Sequence, residues 1–291
     1  MTFAILIVLL AAAALAVHSI FHAPASLRVA EVHVPVADLP HEFDGYTIAV
    51  LTDVHYAPVP GKGNLERAAT IIRRVEPNLI VFLGDFAASF ASSQRLSGML
   101  YRAAIPAMGK IIRGMSAPDG MMAVLGNHDY YFDGPAVIAW LESLGVRVLV
   151  NDCVVIEHGG DRLAIAGTDE LGHDIPDPYA GCSDLPREIP RIVLAHHPDE
   201  VLLLAPDMRA DLVLAGHTHG GQVVFPILGA LIRISKVCGR HTASGWVPNG
   251  RAPLYVSRGI GAQIPLRFNC PPELVIVRLG IRDWGLGTAF S

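Results

Sequence analysis

The sequence predicts an α/β fold that contains at least two sheets. In the first half of the chain, short apolar runs typical of buried strands alternate with segments of helical periodicity. The second half is rich in further short strands, which indicates a second sheet. Hydrophobic residues make up 52% of the 291 residues and charged residues 17%, against about 25% charged in typical domains. This composition excludes a disordered chain. The length allows one large domain or two small ones.

Three helices and eleven strands are predicted after the first 28 residues. The helices cover residues 64–76, Gln94–Arg113 and residues 134–144, and Asn64 is suited to cap the first of them. Pro106 is expected to kink or break the second helix, because proline lacks a backbone N–H. The predicted strands span residues 31–36, 46–52, 79–83, 121–125, 146–150, 163–167, 191–195, 211–215, 222–225, 254–257 and 274–279.

An apolar segment precedes these elements. Residues 3–21 contain only two polar side chains, His18 and Ser19, and a membrane span needs roughly 20 apolar residues. Because no Lys or Arg precedes the run, residues 1–25 are predicted to be a retained single-pass anchor in the cell membrane. A secretory signal cleaved near residues 23–25, or a buried helix of the domain, is the alternative. One flanking cation, Arg28, is too little to indicate which side of the membrane the domain faces.

Charge and cysteine content exclude further classes. The chain carries 22 Lys and Arg against 27 Asp and Glu, a formal charge of −5, whereas a general nucleic-acid-binding protein needs a basic face. No nucleic-acid partner is therefore expected. The four cysteines are widely spaced and form no C-x-x-C pair, which predicts neither a zinc ribbon nor a dense disulfide framework.

Side chains that bind metals follow five of the predicted strands. Ligands of α/β sheets bind beyond the carboxyl ends of strands, so these residues are expected to converge on one site. Each motif alone is weak evidence, and their joint presence in order carries the prediction. In chain order they are Asp53 and His55, then Asp85, then Asn127, His128 and Asp129, then His196 and His197, then His217 and His219.

The mixture of donor types indicates the kind of ion. Carboxylate, imidazole and amide-oxygen ligands suit Zn²⁺, Mn²⁺ or iron better than Ca²⁺. In extended chain, Asp53 and His55 point to the same face, since side chains alternate along a strand. Asp85 stands alone at its strand end between the other motifs, and a carboxylate can bridge two ions. We therefore expect two divalent ions that share Asp85.

These motifs resemble those of the calcineurin-like metallophosphoesterase superfamily, whose pattern is D-x-H, G-D, G-N-H-D/E, a later H, and G-H-x-H. The match covers residues 46 to about 221, and no ligand position is missing. Residues 254–261 (LYVSRGIG) and 270–273 (CPPE) are similar to the membrane-associated bacterial phosphodiesterase branch. The resemblance implies a layered α/β/β/α sandwich of two mixed sheets after an N-terminal hydrophobic helix, with residues 26–291 as the catalytic domain.

The resemblance also implies roles for individual residues. His128 is expected to be the catalytic acid beside the leaving group, and His197 is expected not to be a ligand. A hydroxide that bridges the two ions, which are Mn, Fe or Zn, would attack phosphorus. One ion would be held by Asp53, His55, Asp85 and His219, and the other by Asp85, Asn127, His196 and His217.

The substrate is less sharply indicated than the site. A phosphodiester or a lipid-linked pyrophosphate is expected, and the alternatives are a phosphomonoester or a catalytically silent membrane-anchored scaffold. The apolar segment of residues 222–234 follows the last motif directly. It is either a strand pair in the core or an exposed lip of the active site that contacts lipid. Full burial of Phe225, Ile227 and Leu228 would exclude the lip.

Overall fold

The computed structural model describes residues 2–56, 63–86, 94–205, 208–262 and 264–281. Five α-helices lie in these ranges: α1 (Thr2–Val17), α2 (Asn64–Val75), α3 (Gln94–Arg113), α4 (Asn127–Phe132) and α5 (Gly134–Glu142). The strands are β1 (Arg28–Pro35), β2 (Thr47–Leu51), β3 (Leu79–Leu83), β4 (Met121–Val124), β5 (Val146–Val148), β6 (Asp152–His158), β7 (Asp161–Gly167), β8 (Arg191–Leu194), β9 (Leu212–Ala215), β10 (Val224–Phe225), β11 (Gly229–Ala230), β12 (Gly245–Trp246), β13 (Leu254–Val256) and β14 (Glu273–Gly280).

Two six-stranded mixed sheets form the centre of the domain. The first has the order β1-β14-β2-β3-β4-β5, in which β2 to β5 run parallel and β14 runs antiparallel to β2. The second has the order β12-β13-β9-β8-β7-β6, in which β13, β9, β8 and β7 run parallel between two antiparallel edge strands. The predicted α/β architecture with two mixed sheets is thereby confirmed.

Three apolar layers account for the continuous apolar runs of the strands. Side chains such as Ile48 and Val81 of the first sheet meet Ile192 and Leu214 of the second in the central layer. The other face of the first sheet packs against α2, α3 and α5. The other face of the second sheet is covered by loops and by the 3₁₀ helix Pro198–Leu203. Sheets covered on both faces lack polar alternation, as the sequence of these strands shows.

Several local features differ from the sequence prediction, and helix α4 and strands β11 and β12 were not among the predicted helices and strands. Helix α3 continues across Pro106 without a break. Pro106 has no N–H to donate to the carbonyl one turn earlier in the helix. Because Pro106 is exposed, water can donate a hydrogen bond to that carbonyl instead. Strand β6 was not predicted from the sequence; it is an edge strand with a largely half-buried side-chain pattern.

The carboxyl ends of β2, β3 and β4 in the first sheet, and of β8 and β9 in the second, lie at the same end of the sandwich. Backbone pairing continues into the loops beyond them. The Asp53 N–H donates to the Gly84 carbonyl at 3.0 Å, and the Gly216 N–H donates to the His196 carbonyl at 3.0 Å. The strand-end residues are therefore fixed by an extension of the sheets.

The N-terminal segment is helical from Thr2 to Ala25, with α1 followed by a π turn and a 3₁₀ turn. One candidate membrane span, Phe3–Ala25, was found among the described residues, with a mean hydropathy of 2.6 and most of its length exposed. Its end is attached to the domain. Asn64 Nδ2 donates to the Pro24 carbonyl at 2.8 Å, and the Arg267 backbone N–H donates to the Ser19 carbonyl at 2.9 Å.

The apolar segment after the last motif forms the short antiparallel pair β10–β11. It does not lie in the core. Phe225 and Leu228 are exposed, and Ile227 is 87% exposed. Of the two structures that the sequence allowed, a strand pair is present, but it has the exposure expected of a lip.

Candidate metal centre

The first group of predicted ligands lies at the ends of β2 and β3 and in the turn after β9. Nε2 of His55 lies 3.2 Å from Nε2 of His219 and 3.4 Å from Oδ2 of Asp85. Oδ1 of Asp53 lies 3.5 Å from Nε2 of His219. One donor atom from each of Asp53, His55 and His219 lies within 4.8 Å of the others. Such spacing fits donors that surround one ion at about 2.0–2.2 Å.

The second group contacts the first through Asp85. Oδ1 of Asn127 lies 3.0 Å from Nδ1 of His217 and 3.3 Å from Nε2 of His196. The two imidazole nitrogens are 3.2 Å apart. Oδ2 of Asp85 lies 3.5 Å from Nε2 of His196. The structure therefore brings the seven predicted ligands together, and Asp85 contacts members of both sets that the resemblance implies.

Asp53 shows why a cation fits this arrangement. Its Oδ2 accepts hydrogen bonds from the Thr52 hydroxyl at 2.8 Å and from the His217 N–H at 3.0 Å. Its Oδ1, beside His219, is buried and accepts none. A buried carboxylate oxygen without a partner is costly, and a divalent cation among these donors would satisfy it.

The backbone of the ligand residues is strained. Five of the predicted ligands have the left-handed conformation, which non-glycine residues rarely adopt. Such conformations cost on the order of 1–3 kcal/mol each and cluster at functional sites. The φ angles are 51° at Asp53, 39° at His55, 57° at Asp85, 68° at His217 and 52° at His219.

The protonation states favour ion binding. Burial and neighbouring imidazoles lower the pKa of His55 and His217, so that these rings are neutral at pH 7, as a ligand must be. Burial raises the pKa of Asp85 well above its usual range. Burial opposes the charged form of His196, but Asp85 and Asp53 outweigh it and raise its pKa to about 9. Binding of a cation among these donors would release protons from the ligands.

His128 and Asp129 have different environments. The His128 ring is half-buried and lies 5.0 Å from the His55 ring, edge to face. Its backbone N–H donates to Asp85 Oδ1 at 2.8 Å. Asp129 is buried and accepts hydrogen bonds from the backbone N–H groups of Asp85, Phe86 and Gly126 at 2.8–3.0 Å. Asp129 therefore fixes the loops after β3 and β4 to each other.

Two glycines permit this close packing. Gly84 has φ +86°, and a Cβ there would lie 2.3 Å from the Gly126 nitrogen. A Cβ at Gly126 would lie 2.2 Å from Asp85 Oδ1. The glycines of the G-D and G-N-H-D motifs are thus required because the ligand loops touch each other there.

The ligands open onto two clefts of different character. One is lined by Asp85, His128 and His219 together with apolar side chains, namely Val223, Ile232, Ile234, Ile264 and Leu266. The other is lined mainly by polar and aromatic residues, namely Asn127, Tyr130, Tyr131, Glu170, His173, His197 and His217. His217 borders both clefts, so they meet at the ligand cluster.

Sequence reasoning assigned no role to two buried carboxylates beside the cluster. Asp199 accepts hydrogen bonds from the Ser235 hydroxyl at 2.6 Å and from the Lys236 N–H at 2.8 Å, which ties the apolar segment to the loop after β8. Glu200 accepts from the His197 N–H at 3.0 Å and from the Thr168 hydroxyl. Their partners are distant in sequence, and their only local signal was the adjacent His196-His197-Pro198.

Comparisons with known proteins identify relatives of this chain. The chain is 31% identical to an uncharacterized metallophosphoesterase of Bacillus subtilis (strain 168), YkuE, over 88% of this chain and 86% of that protein. It is 29% identical to the phosphodiesterase YaeI of Escherichia coli (strain K12), over 80% of this chain and 82% of the relative.

A longer relative carries the word transmembrane in its name. The chain is 31% identical to the transmembrane protein with metallophosphoesterase domain of Danio rerio, over 93% of this chain but 61% of that protein. The sequence model of the calcineurin-like phosphoesterase family matches residues 46–221, which include all five strand-end motifs. The chain therefore belongs to the calcineurin-like phosphoesterase family.

Proposed function

We propose that this protein is a phosphoester hydrolase that works with two divalent metal ions and cleaves phosphodiesters or pyrophosphates. The observation that carries the proposal is the convergence of seven ligand-type side chains in two groups around Asp85 Oδ2. Asp53, His55, Asp85 and His219 would hold one ion. Asp85, Asn127, His196 and His217 would hold the other, and Mn, Fe or Zn suits these donors.

The chain's own residues supply orientation and a proton. Two ions in such a site act as Lewis acids on a phosphoryl group and lower the pKa of bound water. Asp129 holds the two ligand loops together through three backbone N–H groups. His128 borders the apolar cleft beside Asp85 and His219. From there it donates a proton or hydrogen bond to the departing alkoxide, an assistance worth about 10²–10⁴-fold.

The two clefts favour a diester or pyrophosphate over a monoester. A diester has two substituents on phosphorus, and two clefts of different character meet at His217 of the ligand cluster. The isoleucines and leucine of one cleft suit an alkyl or acyl chain, whereas Glu170 and His173 of the other suit a polar group. The substrate is therefore an amphiphile such as a lipid-linked phosphodiester or pyrophosphate. The name of the Escherichia coli relative agrees with diester hydrolysis.

Membrane attachment through residues 1–25 completes the proposal. The apolar helix Phe3–Ala25 is the anchor, and residues 26–291 are the catalytic domain. Cys153 and Cys182 form a disulfide, and disulfides are typical of oxidising compartments. The domain is therefore assigned to the extracytoplasmic side. Protease added to intact cells should remove the domain, and N-terminal sequencing should find residues 1–25 retained rather than cleaved as a signal.

The activity is tested with the full chain in detergent, loaded with Mn²⁺. An aryl phosphodiester and the matching aryl phosphomonoester are supplied at equal concentration, and the diester should be hydrolysed faster. Faster monoester hydrolysis would make the protein a phosphomonoesterase. Hydrolysis of neither ester by protein with two bound Mn²⁺ would favour a silent scaffold and refute the proposal.

A further inference from the structure

We propose that the exposed apolar surface beside the ligand cluster docks onto an anionic lipid bilayer, so that the apolar cleft opens at the membrane. We call this surface the lip and define it as residues 223–241 with residues 264–268. The docking itself does not depend on catalysis. Its consequence, that substrate enters from the bilayer, rests on the proposed function.

The lip exposes large apolar side chains that a soluble surface rarely groups together. Ile232 is 67% exposed and Ile264 is 63% exposed, and both line the apolar cleft with Ile234 and Leu266. Outside the cleft the lip continues, with Ile227 at its most exposed point. The remaining exposed members are Phe225, Leu228 and Leu231.

The two segments of the lip are joined into one surface. Nε2 of Gln222, the residue before the lip, donates hydrogen bonds to the carbonyls of Ile264 and Leu266, each at 2.9 Å. The Phe225 and Phe268 rings lie 5.3 Å apart. At the other end, Asp199 holds the Lys236 N–H. The apolar side chains are therefore presented by a fixed framework.

The charge of this region favours an anionic partner. Residues 222–272 contain six Lys and Arg and no Asp or Glu, whereas the rest of the chain carries 16 and 27, a formal charge of −11. Arg233, Lys236 and Arg240 are exposed within the lip. Cations near an anionic membrane surface are attracted to its negative potential. Apolar residues interleaved with cations are typical of surfaces that lie in the bilayer interface.

The N-terminal helix favours a bilayer over a protein as the partner. The Arg267 backbone N–H, between Leu266 and Phe268 of the lip, donates to the Ser19 carbonyl near the end of the candidate span. The point at which the helix would leave the bilayer is thus hydrogen-bonded to the lip. If Phe3–Ala25 is in the membrane, the lip lies at its surface.

The position of the cleft gives the docking its consequence. Ile232 and Ile264 border the same cleft as Asp85, His128 and His219. A phosphorylated lipid could keep its acyl portion against the lip while its phosphoryl group reaches the ligand cluster. The enzyme would then act on substrate in the plane of the membrane without extracting it fully into water.

Fluorescence quenching tests the docking without any turnover. Full-chain Ile227→Trp is reconstituted in liposomes of phosphatidylcholine and phosphatidylglycerol that contain lipids brominated along their acyl chains. We expect blue-shifted emission, relative to the parent protein, that the brominated lipid largely quenches. Bromines near the headgroup end should quench more than bromines near the methyl end, because such surfaces lie about 5–10 Å into the interface.

Ile175→Trp is the matched control. Ile175 is 79% exposed and lies in the loop held by Asn151, next to β6, at the opposite edge of the second sheet from β12. Its substituted tryptophan should remain unquenched. Equal quenching at the two positions, or none at Ile227→Trp, would overturn the docking. Loss of quenching at Ile227→Trp in liposomes without phosphatidylglycerol would support the role of the cations, and unchanged quenching would refute it.

The two proposals fail separately in this design. If Ile227→Trp is quenched but the protein hydrolyses neither test ester, the docking proposal is supported and the proposed hydrolase activity is refuted. If the protein hydrolyses the diester but Ile227→Trp is not quenched, the hydrolase activity is supported and the docking proposal is refuted. Cross-linking of the lip to a protein in place of quenching would likewise refute the bilayer as its partner.

Discussion

Replacing Asp85 with Asn removes one negative charge from the atom that both ligand groups share. Asp85 Oδ2 lies 3.4 Å from His55 Nε2 and 3.5 Å from His196 Nε2. Asparagine keeps the shape of the side chain, and its Oδ1 can still accept the His128 N–H that Asp85 accepts at 2.8 Å. The change therefore tests the bridging charge with little disturbance of the loops.

The size of the effect follows from binding linkage. A metal at 100 times its dissociation constant stabilises a folded protein by about 2.7 kcal/mol per site, hence about 5.4 kcal/mol for two. About 1 kcal/mol corresponds to roughly 2–4 °C in Tm for a large domain, so two ions should raise Tm by about 11–22 °C. Asp85→Asn should lose most of this increase because it weakens both sites.

The metal-free protein should respond in the opposite direction. Burial raises the pKa of Asp85, so the folded state favours its neutral form. Its contribution to stability is present at low pH and is lost as the pH rises through the raised pKa. Asparagine carries no charge at any pH. Metal-free Asp85→Asn should therefore be at least as stable at pH 7 as the metal-free parent.

Thermal unfolding and metal analysis of the full chain in detergent measure both effects. The parent, Asp85→Asn and Asp174→Asn are stripped with a chelator, and Tm is recorded with and without Mn²⁺. Asp174 is exposed and lies outside the cluster, so its variant should keep the full increase. If Asp85→Asn binds two Mn²⁺ and gains the same Tm increase as the parent, Asp85 is not the bridge.

Three further outcomes are expected. His128→Asn should keep both metals but lose about 10²–10⁴-fold in turnover of alkyl diesters. The loss should be smaller for aryl diesters, because good leaving groups need less acid assistance. Equal losses for the two substrates would show that His128 is not the acid. Burial raises the pKa of Glu200 to about 8, so its stabilisation is lost as pH rises through that value. The Tm of Glu200→Gln relative to the parent should therefore rise between pH 6 and 9, whereas parallel curves would contradict the buried neutral acid. Cys153 and Cys182 close a loop with a sequence separation of 29, so replacing both with Ser should lower the free energy of unfolding by about 3–4 kcal/mol, and an unchanged urea midpoint would argue against the bridge.

The position of the candidate site could be predicted because parallel strands place their carboxyl ends at one edge. Asp53 and Asp85 follow β2 and β3, which are neighbours in the first sheet, and His196 and His217 follow β8 and β9, which are neighbours in the second. Packing of the two sheets against each other joins the two pairs. The order of the strands and the residues that follow them were therefore sufficient to predict where the ligand cluster lies.

The contacts that hold the site could not be predicted in the same way. Asp199 accepts hydrogen bonds from residues 36 to 38 positions away in the sequence. Cys153 forms a disulfide with Cys182 rather than with Cys238 or Cys270. Neither partner is fixed by local spacing, because both depend on how the outer face of the second sheet is covered. The left-handed conformation of the ligands is also a tertiary effect, since the intrinsic preference of Asp and His opposes it.

The apolar surplus of the sequence has two physically different origins that only the fold separates. Ile192 and Ile232 are the same residue type in similar apolar runs, yet Ile192 is fully buried between the sheets and Ile232 lies open at the cleft. Burial of the first stabilises the fold. Exposure of the second opposes solubility unless something apolar covers it. If the helix attached at Ser19 spans a bilayer, as we propose, the bilayer lies at that position. The membrane would then cover the residues that remain exposed in the isolated domain.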